Sequence, residues 1–142
     1  MLLRIFHRFV ETVSAKRLVL CYYCSSRYNA NKGIILIESG VEEKNIEKAK
    51  KEILEQIKDI QLGNFSDSQF EETKLYLKQS MKKIQDNIEI LDNWYLLQTF
   101  DEIKKEPEET IKEIENVSRE DVINAALKIS LDTIYILSGS EE

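Results

Sequence analysis

Histidine is nearly missing from this chain: His7 is the only one in 142 residues. No His-x-x-His, His-x-x-Glu-His or Glu-x-x-His pairing can be written, so no transition-metal catalytic site can be assembled from this chain alone. A Ser-His-Asp or Cys-His arrangement would have to recruit His7, which sits between hydrophobic positions with nothing nearby to orient it. Glycine is scarce and scattered, with four residues in all, so no phosphate-cradling loop exists. Four glycines and one proline also leave no room for a long flexible linker, and we read residues 1–142 as a single domain. Excess positive charge is lacking as well. A net charge of −6 and a pI near 5.0 argue against nucleic acid or an anionic membrane as partner, since both need a basic surface to displace counterions.

Long apolar runs are absent too. The N-terminal stretch is interrupted by Arg4, His7, Arg8 and Glu11, which leaves neither a signal-peptide core nor a membrane span. A cytoplasmic location is the default expectation. Leu2, Phe6, Phe9 and Val13 recur at helical spacing and predict an amphipathic helix, with an organelle-targeting peptide as the other reading of the same stripe.

What is present is a hairpin followed by helices. Leu18 to Tyr28 and Gly33 to Val41 are β-prone runs around an Asn/Lys/Gly cluster, the pattern of an antiparallel hairpin. Cys21-Tyr-Tyr-Cys24 invites a redox or zinc reading. Strict alternation, however, sends Leu20, Tyr22 and Cys24 to one face and Cys21, Tyr23 and Ser25 to the other, so the two sulfurs cannot bridge. On that reading the cysteines are packing residues.

Ile46, Ala49, Ile53, Ile57 and Ile60 then recur at steps of three and four, so Glu42 to Leu62 reads as a helix that Gly63 stops. Its Glu/Lys positions form the solvated side. Ser66 with Gln69 makes a capping box for the next helix, whose stripe is Phe70, Leu77, Met81 and Ile84. Asp86, Asn87 and Glu89 offer a break and a new cap before Ile88, Leu91 and Tyr95; Trp94, Tyr95 and Phe100 read as core or interface. Pro107 suits the first position of a short helix, and Ser118 with Asp121 opens another, buried through Val122, Ala125, Ala126 and Ile129. Asp132 to Leu137 alternates and predicts a last strand that returns to the hairpin. The expected fold is α+β: a small antiparallel sheet, hairpin plus C-terminal strand, with several helices on one face.

Several segments together carry a family resemblance. They are Leu20-Cys-Tyr-Tyr-Cys-Ser-Ser-Arg-Tyr-Asn-Ala-Asn-Lys-Gly-Ile, then Glu-Ser-Gly-Val-Glu, the helix from Ile46 to Ile60, Gly63-Asn-Phe-Ser-Asp-Ser-Gln-Phe-Glu, and Val117-Ser-Arg-Glu-Asp-Val-Ile-Asn-Ala-Ala. In order and spacing they resemble the C-terminal, non-catalytic region of the insulinase/pitrilysin/processing-peptidase family of zinc metallopeptidases, from about Leu18 to Ser138. Active members join two homologous halves into a chamber. The resemblance implies that zinc is bound by the other, catalytic half through His-x-x-Glu-His, and that this chain itself holds no cofactor.

It further implies that this half helps to hold a peptide through a Tyr preceded by Leu and a small residue, and through an Arg upstream of it. Leu20-Cys21-Tyr22 fits the Tyr end. Ala15 stands at the Arg position with Lys16 and Arg17 beside it, which makes Arg17 the nearest candidate cation. Tyr22 is thus either a substrate contact or a packed strand tyrosine. The function so implied is a non-catalytic fragment or subunit that aids peptide binding or chamber closure. The alternative is a stand-alone module that homodimerises. Because the family's half carries further strands, an open sheet edge is expected, covered by self-association or by a homologous catalytic subunit.

Overall fold

The computed structural model describes residues 21–29, 32–99 and 104–138. The expected N-terminal helix, His7 and Arg17 lie outside the described residues, as does Phe100. The described residues fall into two compact units, divided at Phe65/Ser66 and again at Arg119/Glu120.

The first unit holds the hairpin. Strands β1 (Cys21–Asn29) and β2 (Ile34–Val41) pair antiparallel, and Gly33 at φ 64° supplies the left-handed residue that the turn requires. A single 3₁₀ turn, Glu43–Asn45, leads into α1 (Ile46–Gln61), which touches β2. The stripe read from periodicity is the one that packs: Ala49 and Ile60 are buried, and Ile46, Ile53 and Ile57 are half-buried.

Helix α1 ends in a Schellman motif. The Asn64 N–H donates to the Asp59 carbonyl at 2.8 Å and the Gly63 N–H to that of Ile60 at 3.1 Å. Gly63 itself sits at φ 73°, and a Cβ there would stand 3.0 Å from Ile123 Cδ1. Both backbone conformation and space therefore call for glycine.

Helix α5 (Arg119–Ala126) buries Val122, Ala125 and Ala126. The Gln61 amide donates to the Ala126 and Ile129 carbonyls at 3.0 and 3.1 Å, which satisfies acceptors that the end of α5 leaves open.

The second unit is helical. Helix α2 (Asp67–Gln85) starts at Ser66 with a complete capping box: the Gln69 N–H donates to Ser66 Oγ at 3.1 Å and the Ser66 N–H to Gln69 Oε1 at 2.9 Å. Phe70 and Thr73 are its buried residues. Lys74 Nζ donates to the carbonyls of Glu115 and Val117 at 2.9 and 3.1 Å, closing the C-terminal end of α4 (Pro107–Asn116) onto α2. The same ammonium stands 5.1 Å from the Phe70 ring centroid.

Helix α3 (Ile88–Leu97) is capped by the Asn87 side chain, whose Oδ1 accepts from the N–H groups of Glu89 and Ile90. Gln98 then both accepts from and donates to the Lys105 backbone, and Trp94 Nε1 donates to the same Lys105 carbonyl at 3.0 Å. Pro107 occupies the first turn of α4 and is buried.

The fold is α+β, as the sequence predicts, but the final strand is not in the sheet. Among the described residues the sheet has two strands, and residues 132–137 run without a ladder partner. Alternation marks a segment as able to pair, whereas a ladder needs a second edge within reach. Ile134 and Ile136 are 45% and 48% exposed, Tyr135 and Leu137 82% and 84%, so one side of the segment is half-covered and the other is in water.

Candidate functional site

The sequence placed its candidate site at the start of β1, and the structure gives that point an irregular geometry. Cys21 pairs with Val41 but Tyr23 with Gly40, so β1 spends two steps where β2 spends one. This is a β-bulge, with Tyr22 and Tyr23 together facing Gly40. The reason lies in the side chains. A Cβ on Gly40 would stand 2.4 Å from Tyr23 Cε1, so the Tyr23 ring lies across the bare glycine backbone. Glycine in a strand interior marks such a close approach.

The bulge reverses the face assignment on one side of it. From the register, Tyr23, Ser25, Arg27 and Asn29 stand with Gly40, Glu38, Leu36 and Ile34 on the outer face. Cys21, Cys24, Ser26 and Tyr28 stand with Val41, Ser39, Ile37 and Ile35 on the more buried face. The expectation that Cys21 and Cys24 point to opposite faces is therefore corrected, because uninterrupted alternation does not hold across the extra residue. Both cysteines are half-buried, and no disulfide joins them. The Ser39 hydroxyl lies 3.1 Å from Cys21 Sγ and 3.2 Å from the Tyr23 carbonyl oxygen.

The outer face is open and mixed, with apolar side chains toward its two ends and Ser25 and Glu38 between them. Tyr22 is 76% exposed and Tyr23 59%, while Ile34 and Leu36 are also exposed. Tyr22 is thus not a packed strand tyrosine. The cross-strand pair of Arg27 with Glu38, at 2.5 Å, lies diagonally across this face. With side chains 70% and 42% exposed it contributes about 0–1 kcal/mol, which is too little to seal the surface. What the arrangement offers chemically is contact area and main-chain edges. Among the described residues no three His, Cys, Asp or Glu side chains gather into a group that could hold a metal ion.

In the second unit, Tyr95 OH donates to the Glu106 carboxylate, and this hydrogen bond holds the phenol above its usual pKa. Composition gave no signal for that pair. It forms because Gln98 and Trp94 fasten Lys105 beside α3. No helix among the described residues is long and apolar enough to cross a membrane.

A hairpin with an aromatic bulge, backed by a helix and followed in the chain by a helical unit, defines an α+β fold. Comparison with known proteins makes this specific. The model of the peptidase M16 inactive domain matches residues 7–77, and the chain belongs to that family: it is a non-catalytic, metallopeptidase-like domain. Over 122 residues it is 35% identical to the probable inactive metalloprotease YmfF of Bacillus subtilis (strain 168), covering 86% of this chain. A crystal structure of a conserved protein from Enterococcus faecalis V583 superposes with a TM-score of 0.75 at 23% identity, over 89% of this chain, and so shares the fold. The chain spans 29% of the length of the first relative and 32% of the second.

Proposed function

We propose that this chain acts as a non-catalytic element of a peptidase, helping to hold an extended peptide or to close the chamber around it while a separate catalytic half binds zinc and cleaves. The observation that carries the reading is the open outer face of the hairpin, with Tyr22 and Tyr23 raised on the bulge at one end and Leu36 and Ile34 exposed toward the other. Two adjacent exposed tyrosines offer a contact surface, and an extended peptide laid along a hairpin meets it with main-chain hydrogen bonds and alternate side-chain contacts. The family match supports the non-catalytic role, and the partner in this reading is a homologous catalytic subunit. In this reading the setting is cytoplasmic, where thiols are kept reduced.

The test is to co-express the chain with a catalytic half bearing His-x-x-Glu-His and follow hydrolysis of a fluorescent unstructured peptide. Addition of the chain raises turnover, and Tyr22→Ala removes most of the gain by raising KM. A gain that is indifferent to both Tyr22→Ala and Tyr23→Ala overturns the assignment of this face.

A second reading, a self-associating module, rests on the outer edge of β2. The run Ile34-Ile-Leu-Ile37 pairs with β1 on one side, and its other edge has no ladder partner among the described residues.

A further inference from the structure

We infer that Cys21 and Cys24 form a two-thiolate site for a soft monovalent cation of the Cu(I) class. The inference rests on the bulge and is independent of the proposed peptide-holding role. Opposite the two cysteines stand Val41 and Ser39, two residues apart on β2. At about 3.4 Å per residue, that spacing puts the two cysteine backbones about 7 Å apart, on one face and with parallel Cα–Cβ bonds.

This distance discriminates between the chemistries open to a pair of thiols. A disulfide needs Cβ atoms about 3.5–4.5 Å apart, which side chains standing parallel at about 7 Å do not reach without breaking the ladder. Two metal–sulfur bonds of about 2.3 Å in line span about 4.6 Å between sulfurs. Two thiols leaning toward each other from about 7 Å cover that gap. The geometry thus favours S–metal–S over S–S.

The kind of metal follows from the donor count. Zinc in a closed site takes four ligands, and among the described residues no third Cys, His, Asp or Glu joins the pair. A soft d¹⁰ monovalent ion is satisfied by two thiolates, and thiolates select such ions. The Ser39 hydroxyl completes the arrangement. It stands on the same face with its oxygen 3.1 Å from Cys21 Sγ, where it donates to the sulfur and steadies the negative charge that binding creates. Half-burial leaves the thiols reachable while keeping bulk water from competing freely.

The experiment is anaerobic titration of the full chain with Cu(I) held by a chromophoric bicinchoninate buffer, with molar mass followed in parallel. One ion binds per chain and the mass per particle does not change. Cys21→Ser and Cys24→Ser each weaken binding by more than about a hundredfold, the most that loss of an outer-shell partner alone costs. Ser39→Ala keeps the stoichiometry and weakens binding by about tenfold or more, within that outer-shell range. Maleimide labelling of the unsubstituted chain, read by mass spectrometry, gives a check that needs no variant: both cysteines become protected in step at one equivalent. Full affinity in either cysteine variant, one cysteine still reactive at saturation, or an ion that bridges two chains overturns the site.

Discussion

At the scale of single residues, the chain's behaviour turns on places where one side chain decides a backbone path. Gly40 and Tyr23 form such a place, because the ring occupies the volume that a Cβ on Gly40 would fill. In Gly40→Ala the backbone cannot give way but the exposed ring can, so Tyr23 swings off the sheet and the cross-strand contact is lost. We expect a destabilisation of about 0.2–1 kcal/mol, the size of one such pair. In a Tyr23→Ala background the same change costs nothing, which a double-mutant cycle in urea reads directly.

The pair also shows why the site was half legible. Tyr22 and the Cys-x-x-Cys spacing are plain in the sequence. Their facing depends on one inserted residue that period-two counting cannot register, and the only local hint was the glycine at position 40.

Tyr95 gives a second residue-level test. Its hydrogen bond to Glu106 favours the protonated phenol, so the folded-state pKa lies above the usual 10.0. The resulting stabilisation is fully present below the unfolded value and is lost as pH rises through the folded one. Ultraviolet titration of Glu106→Gln returns the tyrosine toward its ordinary range. An unchanged titration curve means the bond does not form in solution.

Elements were legible wherever their ends carry local chemistry. Gly63, Ser66 with Gln69, Asn87 and Pro107 each punctuate the chain through contacts made within a few residues, and each does in the structure what its type predicts. Ser66→Ala removes the acceptor for the Gln69 N–H, while the backbone N–H at position 66 can still donate to Gln69 Oε1. The expected loss is about 1 kcal/mol in urea unfolding, while Ser66→Asp keeps the acceptor and most of the stability.

Elements that depend on distant partners were not legible. Residues 132–137 carry strand alternation yet lie outside the two-stranded ladder of the described residues. Helix α3 carries Ile88, Leu96 and Leu97 at 82%, 63% and 70% exposure, although its composition alone would place it in a core. Local pattern shows what a segment can pair with or bury against. Whether a partner is there is a property of the assembly.

On the scale of the whole molecule, that unpaired capacity meets a net charge of −6. Exposed aromatic and aliphatic residues on the hairpin, on α3 and along residues 131–137 favour association, while like charge opposes contact between identical copies. The two terms respond differently to salt. Near 10 mM ionic strength the screening length is about 30 Å, so copies repel; at 1 M it falls to about 3 Å and only the apolar term remains. A homodimer held by these surfaces therefore tightens as salt is added, whereas a pairing with a basic or charge-complementary catalytic half loosens. Light scattering across concentration, repeated at low and high salt, separates the two. Mass that rises with both concentration and salt establishes the self-associating reading. A monomer under every condition removes it, and leaves the open hairpin face for a partner of different sequence.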